Sequence, residues 1–344
     1  MQALVKKGKG EGNLGIGEVA VPTPGNKDVL IRVKAGAICG SDLHIMHGRI
    51  PCSIPVVIGH EFSGVIEEVG RGVKGWKRGD RVIAEGTMET CGSCFLCKMG
   101  NSHVCRDRKY LGVMVDGCFA EYVKIPAGLL HRMPEGMSFE EASLAEPASI
   151  VIHALIEDNR IEVGDFVAVL GCGSIGLLGA QVAKAVGAEK VMVTGIEADV
   201  PVRLKGAEEL GVCDYVVNAE KDDPVKVVRE ATGGEGADIV LDTTGSSRAL
   251  EQGFQMVRRK GVIAALGYGE DTIEVPWSRM IREALRIQSC LGSTSASFEK
   301  FRSLASQGRL QLKPLITEEY PLREWEKAFR SMERRESVKA LLIP

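Results

Sequence analysis

The chain has 344 residues, 26% of them charged, and a formal net charge of -3. At roughly 150 residues per domain, this length predicts about two domains, each able to bury its own core. The slightly acidic balance argues against a protein whose main partner is nucleic acid or an anionic membrane.

No apolar run approaches the ~20 residues of a membrane-spanning helix, and the first residues, MQALVKKGKG, lack the apolar segment of a signal peptide. We therefore expect a cytoplasmic protein. In a reducing compartment, its ten cysteines favour metal binding over disulfide formation.

The first part of the chain, up to about residue 150, is rich in strand patterns. Short apolar stretches at 29–38 (VLIRVKAGAI) and 62–70 (FSGVIEEVG) are separated by turn sequences such as GWKRGD at 75–80. Glycine and proline are frequent between these stretches. The pattern is typical of a β-rich domain.

From about residue 150, strand and helix patterns alternate. Strands are predicted at 165–171, 190–195, 214–218, 237–245 and 261–267, and helices at 174–188, 203–211, 223–234 and 249–261. This alternation indicates an α/β fold with a parallel sheet and crossover helices. We predict a doubly wound, Rossmann-type dinucleotide-binding domain over residues 151–292.

The residues from 293 onward contain a helical pattern at 297–308 and a short apolar strand pattern, VKALLIP, at 338–344. One strand cannot form a domain alone, so we expect it to return to the first domain. Residues 1–150 would then be completed by 293–344.

A glycine-rich loop follows the strand predicted at 165–171. Gly171, Gly173 and Gly176 of LGCGSIG fit the G-x-G-x-x-G pattern, which here opens a predicted helix. In this context the first glycine permits a tight turn, the second lets the backbone approach a pyrophosphate, and the third lets helix and strand pack closely. The helix N-terminus would then face the phosphates.

The next strand ends at Gly195, where an acid that binds the adenosine ribose would be expected. Glu197, Asp199 and Arg203 follow it. An acid favours NAD and an arginine accommodates the extra phosphate of NADP, so we expect NAD and leave NADP open. The predicted cofactor contacts are Gly171, Gly173, Ser174, Ile175, Gly176, Glu197, Arg203 and Gly267.

Four cysteines, Cys91, Cys94, Cys97 and Cys105, follow the spacing C-x2-C-x2-C-x7-C. Four thiolates in a short loop suit a closed tetrahedral Zn²⁺, which would hold the shape of the loop. An iron–sulfur cluster is the alternative, because similar triplets hold clusters. The fourth cysteine is not followed by proline and its spacing is longer than in ferredoxins, which favours structural zinc.

A second set of possible metal ligands is spread along the chain. Cys39 lies in AICGSDLH, His60 and Glu61 in VIGHEFSG, and Glu146 in LAEPASIVIHA. A thiolate, an imidazole and a carboxylate can bind zinc and leave one position open for catalysis. Spacing alone does not show that these residues form one site. Taken singly, Cys39 could be a core thiol, His60 a loop histidine and Glu146 a charge at a helix start.

The chain resembles the zinc-dependent medium-chain dehydrogenases, and among them the polyol (sorbitol) and threonine dehydrogenase branches. The motifs occur in family order over nearly the whole length: CGSDLH, GHEFSGVIEEVG, GDRV at 79–82, the four-cysteine segment, EPASIVIHAL and the glycine loop. The resemblance implies a GroES-like catalytic domain around the Rossmann domain. It also implies a small-molecule alcohol substrate and a homodimer or homotetramer.

The resemblance also implies a catalytic zinc. Carried over by position, Cys39, His60 and Glu146 take the ligand places. Glu61 is either a direct ligand or a carboxylate that exchanges with zinc-bound water.

The same resemblance implies a proton relay from the hydroxyl of Ser41 through the cofactor ribose to the imidazole of His44 and on to solvent, with Asp42 accepting an orienting hydrogen bond. The implied reaction transfers a hydride between a secondary alcohol, polyol or sugar-alcohol-like, and NAD(P). Zinc would polarise the hydroxyl, and the cofactor would take the hydride.

The substrate is less defined than the reaction. The polyol branch has an aromatic residue directly after the relay histidine and an Arg–aromatic pair after the last Rossmann strand. This chain has Ile45 and SCLGSTSASF (289–298) in those places. Since unpaired buried hydroxyls cost ~1–3 kcal/mol each, an L-threonine 3-dehydrogenase-like or other hydroxy-compound dehydrogenase is the alternative.

Two other classes fit less well. A zinc-free reductase on the same scaffold would lack the set Cys39, His60 and Glu146. A zinc-ribbon module for nucleic acid would need a basic face, which the net charge of -3 does not favour.

Overall fold

The computed structural model describes residues 1–270 and 272–344, which form two compact units. The first unit contains Met1–Ser149, Gly292–Ser306 and Ile316–Pro344, and the second contains Ile150–Leu291 and Gln307–Leu315. Residues 293–344 were all expected in the first domain, whereas 307–315 group with the second unit.

Two hydrogen bonds between a side chain and the backbone explain the position of 307–315. The amide of Gln181 donates to the carbonyl of Gln311 at 3.2 Å and accepts from its N–H at 2.6 Å. Leu310 and Leu312 are buried beside it. An amphipathic pattern alone does not reveal such a contact, because it depends on where the chain passes in three dimensions.

The first unit is mainly built from strands. Its strands are β1 (Gln2–Lys6), β2 (Leu14–Glu18), β3 (Asp28–Ala37), β4 (Val56–Val57), β5 (Glu61–Val69), β6 (Arg81–Ala84), β7 (Thr87–Glu89), β8 (Lys109–Tyr110), β9 (Tyr122–Pro126), β10 (Leu130–Arg132), β17 (Ile316–Pro321) and β18 (Lys339–Ile343). Its helices are α1 (Gly40–Met46), α2 (Phe95–Lys98), α3 (Phe139–Ala142), α4 (Ala145–Ile152, which continues into the second unit), α10 (Ser295–Ser306) and α11 (Trp325–Glu333).

The long strand β3 organises this unit. It pairs antiparallel with β5, β9 and β18 within the sheet ordered β10-β6-β5-β3-β18-β17. Apolar residues of β3 and β5, among them Ile31 and Ile66, are fully buried in one hydrophobic cluster. Valine and isoleucine at these positions suit a pleated, buried surface. The terminal strand β18 thus closes on a strand from the beginning of the chain.

The second unit alternates strands and helices. Its strands are β11 (Phe166–Leu170), β12 (Lys190–Gly195), β13 (Tyr215–Asn218), β14 (Ala237–Asp242), β15 (Val257–Ala265) and β16 (Arg286–Ser289). Its α-helices are α5 (Ser174–Val186), α6 (Lys205–Leu210), α7 (Pro224–Ala231), α8 (Ser247–Met256) and α9 (Trp277–Glu283), with π-helical turns at His153–Asp158 and Val200–Leu204.

These six strands form one parallel sheet in the order β13-β12-β11-β14-β15-β16. Numbered within the unit, this is the order 3-2-1-4-5-6 of a doubly wound dinucleotide-binding fold. The α/β prediction is confirmed. Ligands of such folds bind beyond the carboxyl ends of the strands, where the order reverses next to β11.

One helix prediction was too long. The helix predicted at 249–261 ends at Met256, and the next residues belong to β15. Val257 has an extended backbone and pairs with Ala237 of β14. Lys260 has φ +59, a left-handed conformation that a continuing helix excludes. Within the described residues, no helix is long and apolar enough to span a bilayer.

Candidate active site

The short helix α1 places Ser41 and His44 on one face and Asp42 on another. Asp42 and Ile45 are fully buried, whereas Ser41 and His44 are only half-buried. Residues three apart on a helix share a face, so Ser41 and His44 are neighbours. Asp42 accepts a hydrogen bond from the backbone N–H of Cys39 at 2.9 Å. The acceptor role expected for Asp42 is therefore present at the start of α1.

Three of the predicted zinc ligands come together in the first unit. One donor atom each of Cys39, His60 and Glu61 lies within 4.8 Å of the others. The sheet register explains this, because Ala37 at the end of β3 pairs with Glu61 at the start of β5. His60 and Glu61 are buried, and Cys39 is half-buried.

Glu61 is tied to a buried lysine. Lys339, in the terminal strand β18, donates to the Oε2 atom of Glu61 at 2.7 Å and to the carbonyl of Ile38 at 2.9 Å. Lys339 is only 1% exposed. Removing either partner of such a buried ion pair would leave an uncompensated charge, so the two groups hold each other in place. One oxygen of Glu61 is thus engaged, and Oε1 has no partner.

Glu146 lies beside this group but is not one of the three clustered donors. The hydroxyl of Tyr110 donates to its Oε1 atom at 2.7 Å. The ring of Tyr110 also lies 5.5 Å from the ring of His60, measured between centroids. Burial raises the pKa of Glu146 to about 7, with Glu61 adding to the shift and His60 opposing it.

The donor set fits a cation. Among the described residues, six buried side-chain atoms have no hydrogen-bond partner, and four of them lie at this site: Asp42 Oδ1, His60 Nδ1, Glu61 Oε1 and Glu146 Oε2. Asp42 Oδ1 and His60 Nδ1 face each other at 3.7 Å. The two carboxylate oxygens have no such neighbour, and because an unpaired buried polar atom costs about 1–3 kcal/mol, they call for a ligand. Thiolate sulfur, imidazole nitrogen and carboxylate oxygen are the donors that Zn²⁺ takes.

The electrostatics of the pocket agree with this fit. Burial alone would lower the pKa of His60, but Asp42, Cys39 and Glu146 raise it well above its usual value. The surroundings of the imidazole are therefore negative and favour positive charge.

The four-cysteine segment forms a second donor set. It lies between β7 and β8, which pair antiparallel, so the segment is a long hairpin connection. The four sulfurs lie within 4.8 Å of one another, with 3.6 Å between Cys105 and Cys91 and 3.9 Å between Cys94 and Cys105. Backbone N–H groups of Ser93 and Cys94 lower the pKa of Cys91 to about 6. Four converging thiols suit a closed, four-coordinate zinc.

Two residues of the first site were not predicted from the sequence. Lys339 had a usable signal, since it is the one charged residue in the apolar segment VKALLIP. Tyr110 had none, because nothing in KYLGV indicates that its hydroxyl meets a carboxylate 36 residues later in the chain.

In the second unit, the glycine loop follows β11 as predicted. Gly171 has φ +100, which favours glycine. A Cβ atom on Gly176 would lie 1.9 Å from the carbonyl oxygen of Gly171, so no side chain fits there. A Cβ on Gly173 would meet nothing within 4 Å, which leaves its backbone approachable. Ser174 and Ile175 begin α5, whose N-terminal N–H groups can receive phosphate.

The surroundings of β12 explain the missing acid. A Cβ on Gly195 would lie 2.6 Å from the sulfur of Cys172, so an aspartate cannot occupy this position. Glu197 is exposed and accepts hydrogen bonds from Asn218 at 2.6 Å and Lys221 at 2.8 Å. Arg203 pairs with the buried Asp199 at 3.5 Å.

Gly267 lies just beyond the end of β15. A Cβ on this residue would lie 2.0 Å from the backbone nitrogen of Gly245, so the two chain segments meet closely there. Both segments follow the carboxyl ends of neighbouring parallel strands, β14 and β15.

Two family models match the chain. Residues 25–135 match the alcohol dehydrogenase GroES-like domain, and residues 174–307 match the zinc-binding dehydrogenase domain. The chain is 40% identical to the sorbitol dehydrogenase of Halalkalibacterium halodurans, covering 100% of this chain and 99% of that protein. It is 38% identical to the L-threonine 3-dehydrogenase of Bacillus subtilis, with the same shares covered.

Solved structures agree with these matches. The alcohol dehydrogenase TADH from Thermus sp. ATN1 superposes with a TM-score of 0.89 at 31% identity, over 100% of this chain and 99% of that one. The likeness covers both the β-rich unit and the parallel-sheet unit. The chain belongs to the zinc-dependent medium-chain dehydrogenases, NAD(P)-dependent oxidoreductases that act on the CH–OH group of alcohols.

Proposed function

We propose that this chain transfers a hydride between a polyol-like secondary alcohol and NAD, at a catalytic zinc held by Cys39, His60 and the carboxylates Glu61 and Glu146. The observation that carries the proposal is the buried donor set, whose partnerless atoms need a cation. When bound, the zinc supplies Lewis-acid polarisation of the substrate oxygen.

The chain's own groups prepare that centre. Lys339 holds one oxygen of Glu61, and Tyr110 holds one oxygen of Glu146, so each carboxylate keeps a single oxygen free. Asp42 fixes the backbone of Cys39. These contacts orient the ligands before a metal arrives, which is how outer residues raise metal affinity.

Ser41 and His44 are proposed as the proton relay. They share the half-buried face of α1 next to Cys39. The hydroxyl accepts the proton of the alcohol while it gives up its own, and the imidazole passes a proton to solvent. Cys91, Cys94, Cys97 and Cys105 are proposed to bind a second, structural zinc.

The second unit is proposed to bind the cofactor, with the pyrophosphate at Gly171, Gly173 and Gly176. Glu197 supports NAD, because an acid shortly after this strand favours binding of the adenosine ribose. We assign the cofactor-binding domain to 151–292 and the catalytic domain to 1–150 with 293–344, apart from the short segment 307–315 that groups with the second unit.

A homodimer is proposed from the edge of the parallel sheet. Every residue of the edge strand β16 is exposed, and on the preceding helix α9 Trp277 and Ile281 are each 66% exposed. An unprotected edge with apolar neighbours favours pairing with a second copy across a two-fold axis. A monomer in sedimentation equilibrium would contradict this. We also propose a cytoplasmic location, supported by ten cysteines that form no disulfide.

The experiment that tests the function is the initial rate of cofactor reduction by the zinc-loaded protein. The substrates are linear polyols, cyclic polyols, L-threonine and simple secondary alcohols, each with NAD and with NADP. We expect a polyol with NAD to give the highest kcat/KM. Preference for L-threonine would support the alternative, and no turnover of any alcohol would contradict the proposal.

A further inference from the structure

Arg108 lies next to the proposed catalytic centre. Its guanidinium carbon is 5.5 Å from the ring centroid of Tyr110. The other contacts of that ring are the imidazole of His60 and, through the hydroxyl, the carboxylate of Glu146. The positive charge of Arg108 is therefore separated from the metal-binding donors by one aromatic ring.

The position of that ring is defined by its surroundings. A Cβ on Gly86 would lie 2.5 Å from the Cζ atom of Tyr110, so the phenol occupies the place of a side chain at position 86. The backbone N–H of Leu111 bonds the carbonyl of Gly86 at 2.9 Å. The ring of Tyr110 is thus packed against the backbone at Gly86, and Arg108 lies over the same ring.

Arg108 is bonded to a backbone carbonyl rather than to a carboxylate. Its Nη1 atom donates to the carbonyl of His103 at 2.5 Å. Among the residues that the structure describes, it forms no ion pair with a carboxylate. Arg108 is half-buried, and a guanidinium carries five N–H donors, so its other donors are open to water or to an anion.

One side of the guanidinium faces a glycine. A Cβ built on Gly292 would have Cβ of His103 at 3.7 Å and Nη1 of Arg108 at 3.9 Å as its nearest neighbours, both at ordinary van der Waals distance. A ligand atom can therefore stand at this point next to the guanidinium without displacing protein atoms. The buried lysine of the site cannot serve instead, because Lys339 is already bound to Glu61 and a backbone carbonyl.

We propose that Arg108 binds an anionic group of the substrate, so that the preferred substrates are alcohols bearing a carboxylate or a phosphate several carbons from the reacting hydroxyl. The planar guanidinium fork matches both groups in two parallel hydrogen bonds. This inference rests on the proposed function, since it concerns selectivity at that same centre. It makes Arg108 a specificity-determining residue.

The test compares three matched substrates: a six-carbon alditol, the aldonate of the same configuration, and the phosphate monoester of the alditol. Each is measured with the zinc-loaded wild type, Arg108→Gln, Arg108→Lys and Arg106→Gln. Arg106 is an exposed arginine of the same segment, so its variant makes the same charge change away from the site.

We expect the wild type to prefer at least one anionic substrate over the alditol. Arg108→Gln should lower this preference, as a ratio of kcat/KM, by about ten- to a hundredfold, mainly through KM. Arg108→Lys keeps the charge but not the fork and should retain part of the preference. Arg106→Gln should match the wild type. Preference for the aldonate or for the phosphate would tell which anion the site takes.

Two results would overturn the inference. One is a wild type that prefers the neutral alditol, and the other is an Arg108→Gln variant whose preference is unchanged. If Arg108→Gln loses zinc or stability, the Lys variant decides the matter, because it preserves a donor to His103. Absence of turnover with all three substrates would instead contradict the proposed function. Calorimetric binding of the aldonate and the phosphate to wild type and Arg108→Lys would then still test the anion site, and no binding would overturn it.

Discussion

Glu146 gives one carboxylate oxygen to Tyr110 and keeps the other, Oε2, buried without a partner. Lys339 likewise bonds one oxygen of Glu61, and the other oxygen, Oε1, is buried without a partner. Two carboxylates thus enter the site with one oxygen fixed and one available. This arrangement limits how each can approach a metal, because a fixed oxygen restrains the rotation of the whole group.

Removing the hydroxyl of Tyr110 should weaken metal binding at this centre. In Tyr110→Phe the ring still fills the space beside Gly86, but Glu146 loses the hydrogen bond to its Oε1 atom. We expect the affinity for the catalytic metal to fall about tenfold to a hundredfold. Competition between the protein and a chelator for Co²⁺, followed by the absorption of the bound ion, measures this directly.

The matched control is Tyr122→Phe, which removes a hydroxyl from β9 in the same unit. Its metal affinity should equal that of the wild type. Equal affinities for wild type and Tyr110→Phe would show that the hydroxyl does not position Glu146.

Among the residues, the sequence indicated which side chains could bind a metal but not the hydrogen bonds that hold those side chains in place. Cys39, His60 and Glu61 were found because they lie in compact family motifs. Tyr110 and Lys339 were missed, because their roles depend on contacts between segments far apart in the chain. A pattern within one segment cannot reveal such a partner.

Among the elements, the glycine loop contains one glycine that is needed for packing and one that is predicted to approach the cofactor. Gly176 has no room for a side chain, whereas Gly173 has room but is predicted to face the pyrophosphate. Gly173→Ala should keep the stability of the wild type and lower the affinity for NADH about ten- to a hundredfold. Gly176→Ala should lower both, with a loss of about 1–3 kcal/mol in the free energy of unfolding.

NADH fluorescence titration and urea unfolding of the two variants provide the comparison. Full NADH affinity in Gly173→Ala would contradict the assignment of this loop to the cofactor.

A buried histidine connects two strands and a helix in the first unit. His131 of β10 bonds Glu85, which follows β6, at 3.0 Å and Glu299 of α10 at 2.8 Å. Burial alone would lower the pKa of His131, but the two carboxylates outweigh it, and the pKa is raised. The same histidine, with Arg302, lowers the pKa of Glu299.

The stability of this link should depend on pH. A raised histidine pKa stabilises the fold below about pH 6.5, the unfolded value, and this contribution is lost as pH rises through the folded value. The lowered pKa of Glu299 adds stability above about pH 4.3, which is lost in stronger acid. His131→Gln should therefore cost about 1–2 kcal/mol near pH 5.5 and much less in alkali.

Urea unfolding of wild type and His131→Gln at several pH values measures the difference. A cost that stays constant from acid to alkali would rule out a charged His131.

Element boundaries were predictable where hydrophobic period and turn residues agreed, as for β11, α5 and β12. The boundary between α8 and β15 was not, because MVRRKG fits a helical period and becomes a strand only through pairing of Val257 with β14. The exposed strand β16 was also missed, since an edge strand needs no apolar pattern.

In the whole molecule, the order of elements along the chain determines how the two units are built. A β-rich unit built from both ends of the chain encloses, in sequence, a doubly wound unit, as the strand β18 beside β3 illustrates. The segment 307–315 departs from this order, because the side chain of Gln181 bonds the backbone of Gln311 and the segment groups with the second unit. One unit holds both metal donor sets, and the other holds the glycine loop, so the reaction needs both.

We propose that turnover requires a metal held by Cys39, His60 and the two carboxylates, separately from the zinc proposed for the four cysteines. The most direct measurement combines zinc content, NADH binding and initial rates for wild type and Cys39→Ser. We expect about two zinc ions per chain in the wild type and about one in the variant, which should bind NADH normally and give no turnover. Undiminished turnover by Cys39→Ser would contradict the account.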